Sequence, residues 1–210
     1  MIYNKEVALK TAELLLKIKA VKLSPRELFT WASGIKSPIY CDNRLTLSYP
    51  EIRTFIRQQY TKAIEELFPE PNLIAAVATG GIAQGALIAQ ELGLPLVYVR
   101  SQKKEHGLTN QIEGEVRNGQ RAVVIEDLVS TGSSSLGVVQ TLRDAGCQVI
   151  GMAAIFTYNL SKAEKAFKEA SCPLVTLTDY NQIIESALQS GYITEKEVKV
   201  LFDFRKSLGN

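Results

Sequence analysis

Glu126 and Asp127 are the residues of this chain best placed to do chemistry. They follow an apolar run, Ala122, Val123, Val124 and Ile125. After them come Leu128, Val129, Ser130, Thr131, Gly132, Ser133, Ser134 and Ser135. Two adjacent carboxylates at the end of a buried strand repel each other, and burying charge without a partner is costly. Their use is to bind hydroxyl groups, a cation, or both, because ionised carboxylates are strong acceptors. The following residues supply small side chains with hydroxyl donors, and Gly132 permits a tight backbone. A helix entered from such a loop begins with free backbone N–H groups, which with the hydroxyls make a phosphate cradle. A carboxylate pair beside that cradle suits a phosphorylated ribose. The segment is neither GxGxxG nor GxxxxGK[ST], so dinucleotide-fold and P-loop readings fail on residue content.

Two further segments carry candidates. Residues 78–85, ATGGIAQG, put Gly80 and Gly81 at another strand end, where the bare backbone of a glycine turn can face a pyrophosphate. Residues 100–119, RSQKKEHGLTNQIEGEVRNG, are polar and charged with little apolar periodicity, and they hold the only histidine, His106. A connection this long inside a compact domain is uncommon and usually functional.

The elements that must position these residues follow from hydrophobic period and punctuation. Val7, Thr11, Leu14, Leu15 and Ile18 predict an amphipathic helix over 4–19 with Asn4 as N-cap. Residues 29–44, FTWASGIKSPIYCDNR, read as a hairpin about Ser33-Gly34. Ser48 and Glu51 have capping-box spacing before a helix to about Leu67. Short apolar runs at 73–78, 96–99, 122–125, 149–156 and 174–177 alternate with helical stretches. Gly146 stops one of these helices, Ser161 to Glu164 caps the next, and Thr194 with Glu197 caps the last. This alternation predicts an α/β fold, a parallel twisted sheet flanked by helices with right-handed crossovers. In such sheets ligands sit beyond the carboxyl ends of the strands, where both glycine-rich turns fall. The N-terminal helix and hairpin are expected to form a small hood over the sheet.

Composition narrows the classes of function. A chain of 210 residues with 46% hydrophobic content fills one core. The net charge of +2 gives no global field for nucleic acid or an anionic membrane, so an anionic ligand must meet a local cluster of donors. Cys41, Cys147 and Cys172 are odd in number and widely spaced, which argues against a disulfide framework or zinc site and for reduced thiols in the cytosol. Charged residues interrupt every apolar run near the N-terminus, so no secretory signal is read there. The uncharged stretch 71–90 holds proline, glycines and polar residues unsuited to a membrane span.

The thirteen residues VVIEDLVSTGSSS (123–135) resemble the PRPP-binding motif of type I phosphoribosyltransferases. RSQKKEHG (100–107) is similar to the loop motif of orotate phosphoribosyltransferases, and 29–44 to their orotate-binding hood phrase F-T-x-x-S-G-x-x-S-P. Three motifs in order over nearly the whole chain make the resemblance specific. It implies a single domain over 1–210, with the hood mainly in 1–48 and the core in about 49–210. It implies a cytoplasmic glycosyltransferase of pyrimidine (UMP) biosynthesis that joins orotate to PRPP, giving orotidine 5-monophosphate and pyrophosphate, with Mg²⁺ as cofactor. The partners would be these small molecules and a second subunit of a homodimer that shares the 100–119 loop, not nucleic acid or membrane.

The resemblance also implies residue roles. Lys104 and Asp127 would be catalytic. Arg100, Lys104, His106, Glu126, Asp127, Leu128, Val129, Ser130, Thr131, Gly132, Ser133 and Ser134 would bind PRPP. Ser130, Tyr40, Cys41 and Arg44 would bind orotate. No protein residue is expected to form a dedicated metal site. The chain departs from the better-known bacterial pattern at Ala32, Gly80 and Ser101, where lysines occur, and in IFTYN (155–159), which lacks an arginine.

Overall fold

The computed structural model describes residues 1–31, 34–100 and 111–208. Its centre is a six-stranded sheet in the order β10-β9-β8-β5-β6-β7. The strands are β5 (Leu73–Val77), β6 (Leu96–Val99), β7 (Ile112–Glu113), β8 (Arg121–Val129), β9 (Gln148–Thr157) and β10 (Leu174–Asp179). All neighbours run parallel except β7, an antiparallel edge strand on β6. β5 is buried at every position, as a strand covered on both faces must be.

The order of strands decides where a ligand can sit. From β5 the chain crosses through α3 (Ile82–Leu92) to β6 on one side, then returns to lay β8 on the other side. From β8 it passes outward through α4 (Ser133–Asp144) to β9 and through α5 (Ser161–Glu169) to β10. Right-handed crossovers in opposite directions put α3 and α4 on opposite faces and open a crevice between the ends of β5 and β8. Pairing between β5 and β8 ends at Ala76 with Ile125, whereas β8 stays with β9 as far as Val129 with Thr157. Glu126 and Asp127 therefore stand on a continuing strand that has lost one neighbour, rather than at a strand end.

The N-terminal region is built from α1 (Lys5–Lys17), β1 (Val21–Leu23), β2 (Phe29–Thr30), β3 (Lys36–Ser37) and β4 (Ile39–Cys41). A 3-10 turn, Asn43–Ser48, leads into α2 (Pro50–Leu67). The predicted hairpin over 29–44 is half correct. β2 pairs with β3, but β4 leaves that hairpin and pairs with β1. Pro38 between them has no N–H to continue a ladder. Asn4 caps α1 as expected, its side chain accepting from the N–H groups of Glu6 and Val7 at 2.8 and 3.2 Å. The buried stripe of α1 is centred on Ala8, Thr11, Ala12 and Leu15, with Val7, Leu14 and Ile18 at its flank.

Two expected caps are absent. Tyr49, not Ser48, precedes α2 and makes no side-chain cap, Pro50 itself starting the helix. Leu160 precedes α5, so Ser161 is already helical. By contrast Thr194 and Glu197 form the expected bond before α7 (Glu195–Leu208), Thr194 Oγ1 lying 2.9 Å from Glu197 Oε2. Gly146 follows α4 with φ +87° and ends it as expected. α6 (Tyr180–Gln189) joins β10 to α7, with Asp179 capping it through Gln182 N–H at 2.9 Å.

Candidate active site

Two depressions adjoin at the carboxyl ends of β5, β8 and β9. The first, about 300 Å³, is lined by 77–80 of the glycine turn, by Glu126, Asp127 and Leu128, and by 130–135. The second, about 230 Å³ and mainly apolar, is lined by Trp31, Tyr40, Cys41, Leu128, Ser130 and Tyr158. Leu128 and Ser130 belong to both, so the two share a wall. A larger cleft of about 810 Å³ lies by α5, β10 and α7. Size does not select the site here; convergent polar groups with perturbed ionisation do.

The carboxylate pair is held from below. Glu126 is 6% exposed. One of its oxygens accepts from Ser135 Oγ at 2.9 Å and the other from the N–H of Asp127 at 3.0 Å. Burial, and then the adjacent Asp127 charge, raise the Glu126 carboxyl to about 8. Burial also raises Asp127, against its hydrogen bond with Glu126 and the weaker favourable field of Arg44. Their main-chain carbonyls are anchored too. Tyr60 Oη on α2 donates to Glu126 O at 2.7 Å, and Asn43 Nδ2 donates to Asp127 O at 2.7 Å. The carboxyl oxygens of Glu126 and Asp127 give one side of this concave site acceptors, which sugar hydroxyls would match with donors.

The loop after the strand forms the rest of the first depression. Gly132 sits at φ +82°, and a Cβ there would press on the Phe167 ring at 2.8 Å, so the turn needs glycine twice over. α4 then begins at Ser133 without a side-chain cap. Its first N–H groups have no preceding turn to bond, and they lie with the hydroxyls of Thr131, Ser133 and Ser134 around the depression. That combination has the donors a phosphate group needs. Across from it, a Cβ on Gly80 would overlap the Asp127 carboxylate, so glycine at 80 is tied to where Asp127 lies. Gly81 and Gly85 have a different task. They let α3 approach the carbonyl oxygens of Val77 and Ile125 and the Ala76 methyl.

The predicted residues divide by place. Glu126, Asp127, Leu128, Ser130, Thr131, Gly132, Ser133 and Ser134 come together in the first depression. Val129 does not line it; the residue is fully buried and continues the pairing with β9. Tyr40 and Cys41 line the second depression with Ser130. Arg44 lines neither and makes a two-pronged pair with Asp42, at 2.7 and 3.1 Å. Arg100 follows β6 and pairs with Glu113 on β7 at 3.0 Å, outside both linings. Lys104 and His106, like Ala32 and Ser101, lie outside the described residues.

Several participants are not singled out by sequence reasoning. Ser135 is read in the sequence as the last hydroxyl of the run, but its bond to Glu126 is not. Thr79 lies in the glycine turn. Trp31 sits within the hood phrase, and Tyr158 stands in IFTYN, where the sequence marks only a missing arginine. Asn43 and Tyr60 give no local sign, because their partners are 84 and 66 residues away. Cys41 and Asn43 also meet, Sγ to Oδ1 at 3.2 Å, and burial raises the thiol well above its ordinary range, so it stays a donor.

A carboxylate pair, Glu126 buried and Asp127 partly so, beside a hydroxyl-rich helix entry at the reversal point of a parallel sheet has the chemistry that a sugar-phosphate transferase needs. Residues 47–190 match the model of the phosphoribosyl transferase domain. The chain is 58% identical over 195 residues to an orotate phosphoribosyltransferase of Phocaeicola vulgatus, covering 93% of this chain and 92% of that one. A crystal structure of orotate phosphoribosyltransferase from Aeropyrum pernix superposes with a TM-score of 0.76 at 27% identity, covering 87% and 99%. A UMP synthase of Leishmania donovani gives 0.78 at 25% identity; there this chain spans 95% of itself and 42% of the larger protein. The chain belongs to the orotate phosphoribosyltransferases, within the phosphoribosyltransferase family.

Proposed function

We propose that this protein transfers the 5-phosphoribosyl group of PRPP to orotate, releasing pyrophosphate and forming orotidine 5-monophosphate for pyrimidine nucleotide synthesis. The observation that carries the reading is the shared wall of the two depressions. Ser130 and Leu128 stand between a cradle for the sugar phosphate and an aromatic slot, which is where the bond from ribose C1 to the base must form.

The roles follow from the chemistry. Glu126 and Asp127 accept the ribose hydroxyls and hold the ring. Thr131, Ser133, Ser134 and the first N–H groups of α4 take the 5-phosphate. The C1–O bond to pyrophosphate breaks as positive charge builds on the ribose, so the leaving group needs cationic partners. Lys104 and His106 are assigned to that task, with Arg100 at the root of their loop, and Lys104 is catalytic. Tyr40, Cys41, Trp31 and Tyr158 enclose the base, and Arg44 contributes charge at the rim.

Among the described residues no group of three or more His, Cys, Asp or Glu forms a metal cluster. Mg²⁺ keeps several waters and takes one or two protein carboxylates beside substrate phosphates. The pair Glu126 and Asp127 fits that modest share, with Asp127 reaching the ion through water and PRPP supplying most ligands. Bound there, Mg²⁺ would neutralise charge on the departing pyrophosphate.

Residues 1–48 serve as a hood on a single domain, and a homodimer would bring the 100–119 loop to a neighbouring site. No described helix is long and apolar enough to cross a membrane. Three free cysteines suit a reducing cytoplasm. The test is loss of orotate absorbance on mixing with PRPP and Mg²⁺. PRPP-dependent consumption supports the assignment; consumption of a purine base instead of orotate would overturn it.

A further inference from the structure

We infer that the C-terminal helix α7 shapes the base pocket, with Phe204 holding Trp31 against Tyr158 as a positioning residue that does not touch the base. The inference rests on reading the aromatic depression as the base pocket. Trp31 enters that pocket from a weak support. It follows β2, which pairs with the two residues of β3 apart from the main sheet, and its own N–H donates to Ile35 O at 2.9 Å within that small hairpin. A two-stranded hairpin of this kind is marginal by itself. Something else must hold the indole.

Among the described residues three contacts do so. The indole Nε1–H donates to Ile39 O at 2.9 Å. Its ring meets Tyr158 at 5.6 Å between centroids, tilted by 58°. It also meets Phe204 edge-on, at 5.9 Å and 86°. Tyr158 is itself braced by Phe156 and Tyr180, at 5.0 and 6.1 Å, so one wall of the pocket is fixed by the sheet. Phe204 is the corresponding brace for the other wall, and it lines neither depression.

α7 is anchored well enough to act as a brace. Leu201 is fully buried, and its carbonyl accepts from Tyr180 Oη at 2.8 Å. Arg205 lies over the rings of Tyr180 and Phe202, at 5.3 and 5.0 Å, and donates to Asn181 at 2.7 Å. A second tie joins Glu197 of α7 to Arg26, ahead of β2, at 3.0 Å. Arg26 is mostly exposed there, and such pairs contribute little. Phe204 therefore carries the link.

Trp31 is the only tryptophan in the chain, so its emission reads this site alone. In the wild-type protein, orotate should quench that emission. Phe204→Ala should shift free-protein emission to the red and raise the orotate KM roughly two- to tenfold, the span of one aromatic contact. The PRPP KM and kcat should stay at wild-type values, and Phe204→Tyr, which keeps the ring, should restore the orotate KM. Phe204→Leu keeps apolar bulk without the ring and carries the test if Phe204→Ala fails to fold. A folded Phe204→Ala or Phe204→Leu with wild-type emission and orotate KM would overturn the inference. So would an equal rise in both KM values, the mark of a general structural defect. If orotate leaves wild-type emission unchanged and Trp31→Phe leaves its KM unchanged, the base-pocket reading fails and the inference falls with it.

Discussion

The depression proposed for the sugar phosphate and the one proposed for the base share a wall but are built in opposite ways. The first comes mostly from one unbroken stretch, 126–135, braced from behind by α2 and the 3-10 turn and faced by the glycine turn. The second takes residues from the hood, β8, the following loop and the end of β9, with α7 behind it. A contiguous site depends on local backbone geometry. A composite site depends on how distant elements pack. Substitutions in the first should therefore disturb PRPP, and those in the second the base.

The largest effect should come from the 100–119 segment. Lys104→Ala should lower kcat by about 10²–10³-fold while changing orotate affinity little, as expected for a donor that acts on developing charge. Steady-state turnover near wild type would remove Lys104 from the chemistry. Next, Gly80→Ala should weaken PRPP binding by roughly tenfold, because the new methyl must displace the Asp127 carboxylate. Orotate binding measured by Trp31 quenching should hold steady; a parallel loss would mean that the two halves are not separable.

Asn43 is the place where the separation should break. It is 1% exposed and bonds to Cys41 on the base side and to Asp127 O on the sugar side. Asn43→Ala leaves a partly buried carbonyl without its side-chain donor, a loss of about 1 kcal/mol in stability. Both KM values should rise by a few-fold, and a rise in only one would show which half Asn43 serves.

A further effect concerns pH and reads stability rather than turnover. The Glu126 carboxyl titrates at about 8 in the folded protein against 4.5 ordinarily. Between those values the folded state keeps a proton that the unfolded chain has released, so stability falls as pH rises through the window and levels off above it. The melting temperature of the ligand-free protein should follow that course, and Glu126→Gln should flatten it. A melting curve that rises over the same range would contradict the assigned environment.

The same contrast explains what is legible in the amino-acid sequence. The carboxylate pair, the hydroxyl run and Gly132 sit together, and each residue type states its own use, so the sugar half can be read from consecutive residues. Strand periodicity likewise implies the parallel sheet. Charge ordinarily marks a strand terminus, so the apolar run places the end of β8 at Ile125. The ladder with β9 carries it on to Val129. The base half is only partly legible. Tyr40 and Cys41 are visible through the hood phrase, but Trp31, Tyr158 and Phe204 meet only after residues 31, 158 and 204 are folded together. Ser48 and Ser161 have capping spacing without capping geometry, since Pro50 starts one helix and Leu160 precedes the other. The true partner of β4 is hidden in the sequence, because pairing between β1 and β4 depends on a contact across the whole hood.

The most direct test is calorimetric titration of PRPP with Mg²⁺ into wild type and Asp127→Asn. Losing charge-assisted bonds to the ribose should weaken binding by roughly ten- to a hundredfold, with orotate quenching of Trp31 unchanged. An unchanged PRPP dissociation constant would contradict the assignment of the carboxylate pair to the sugar.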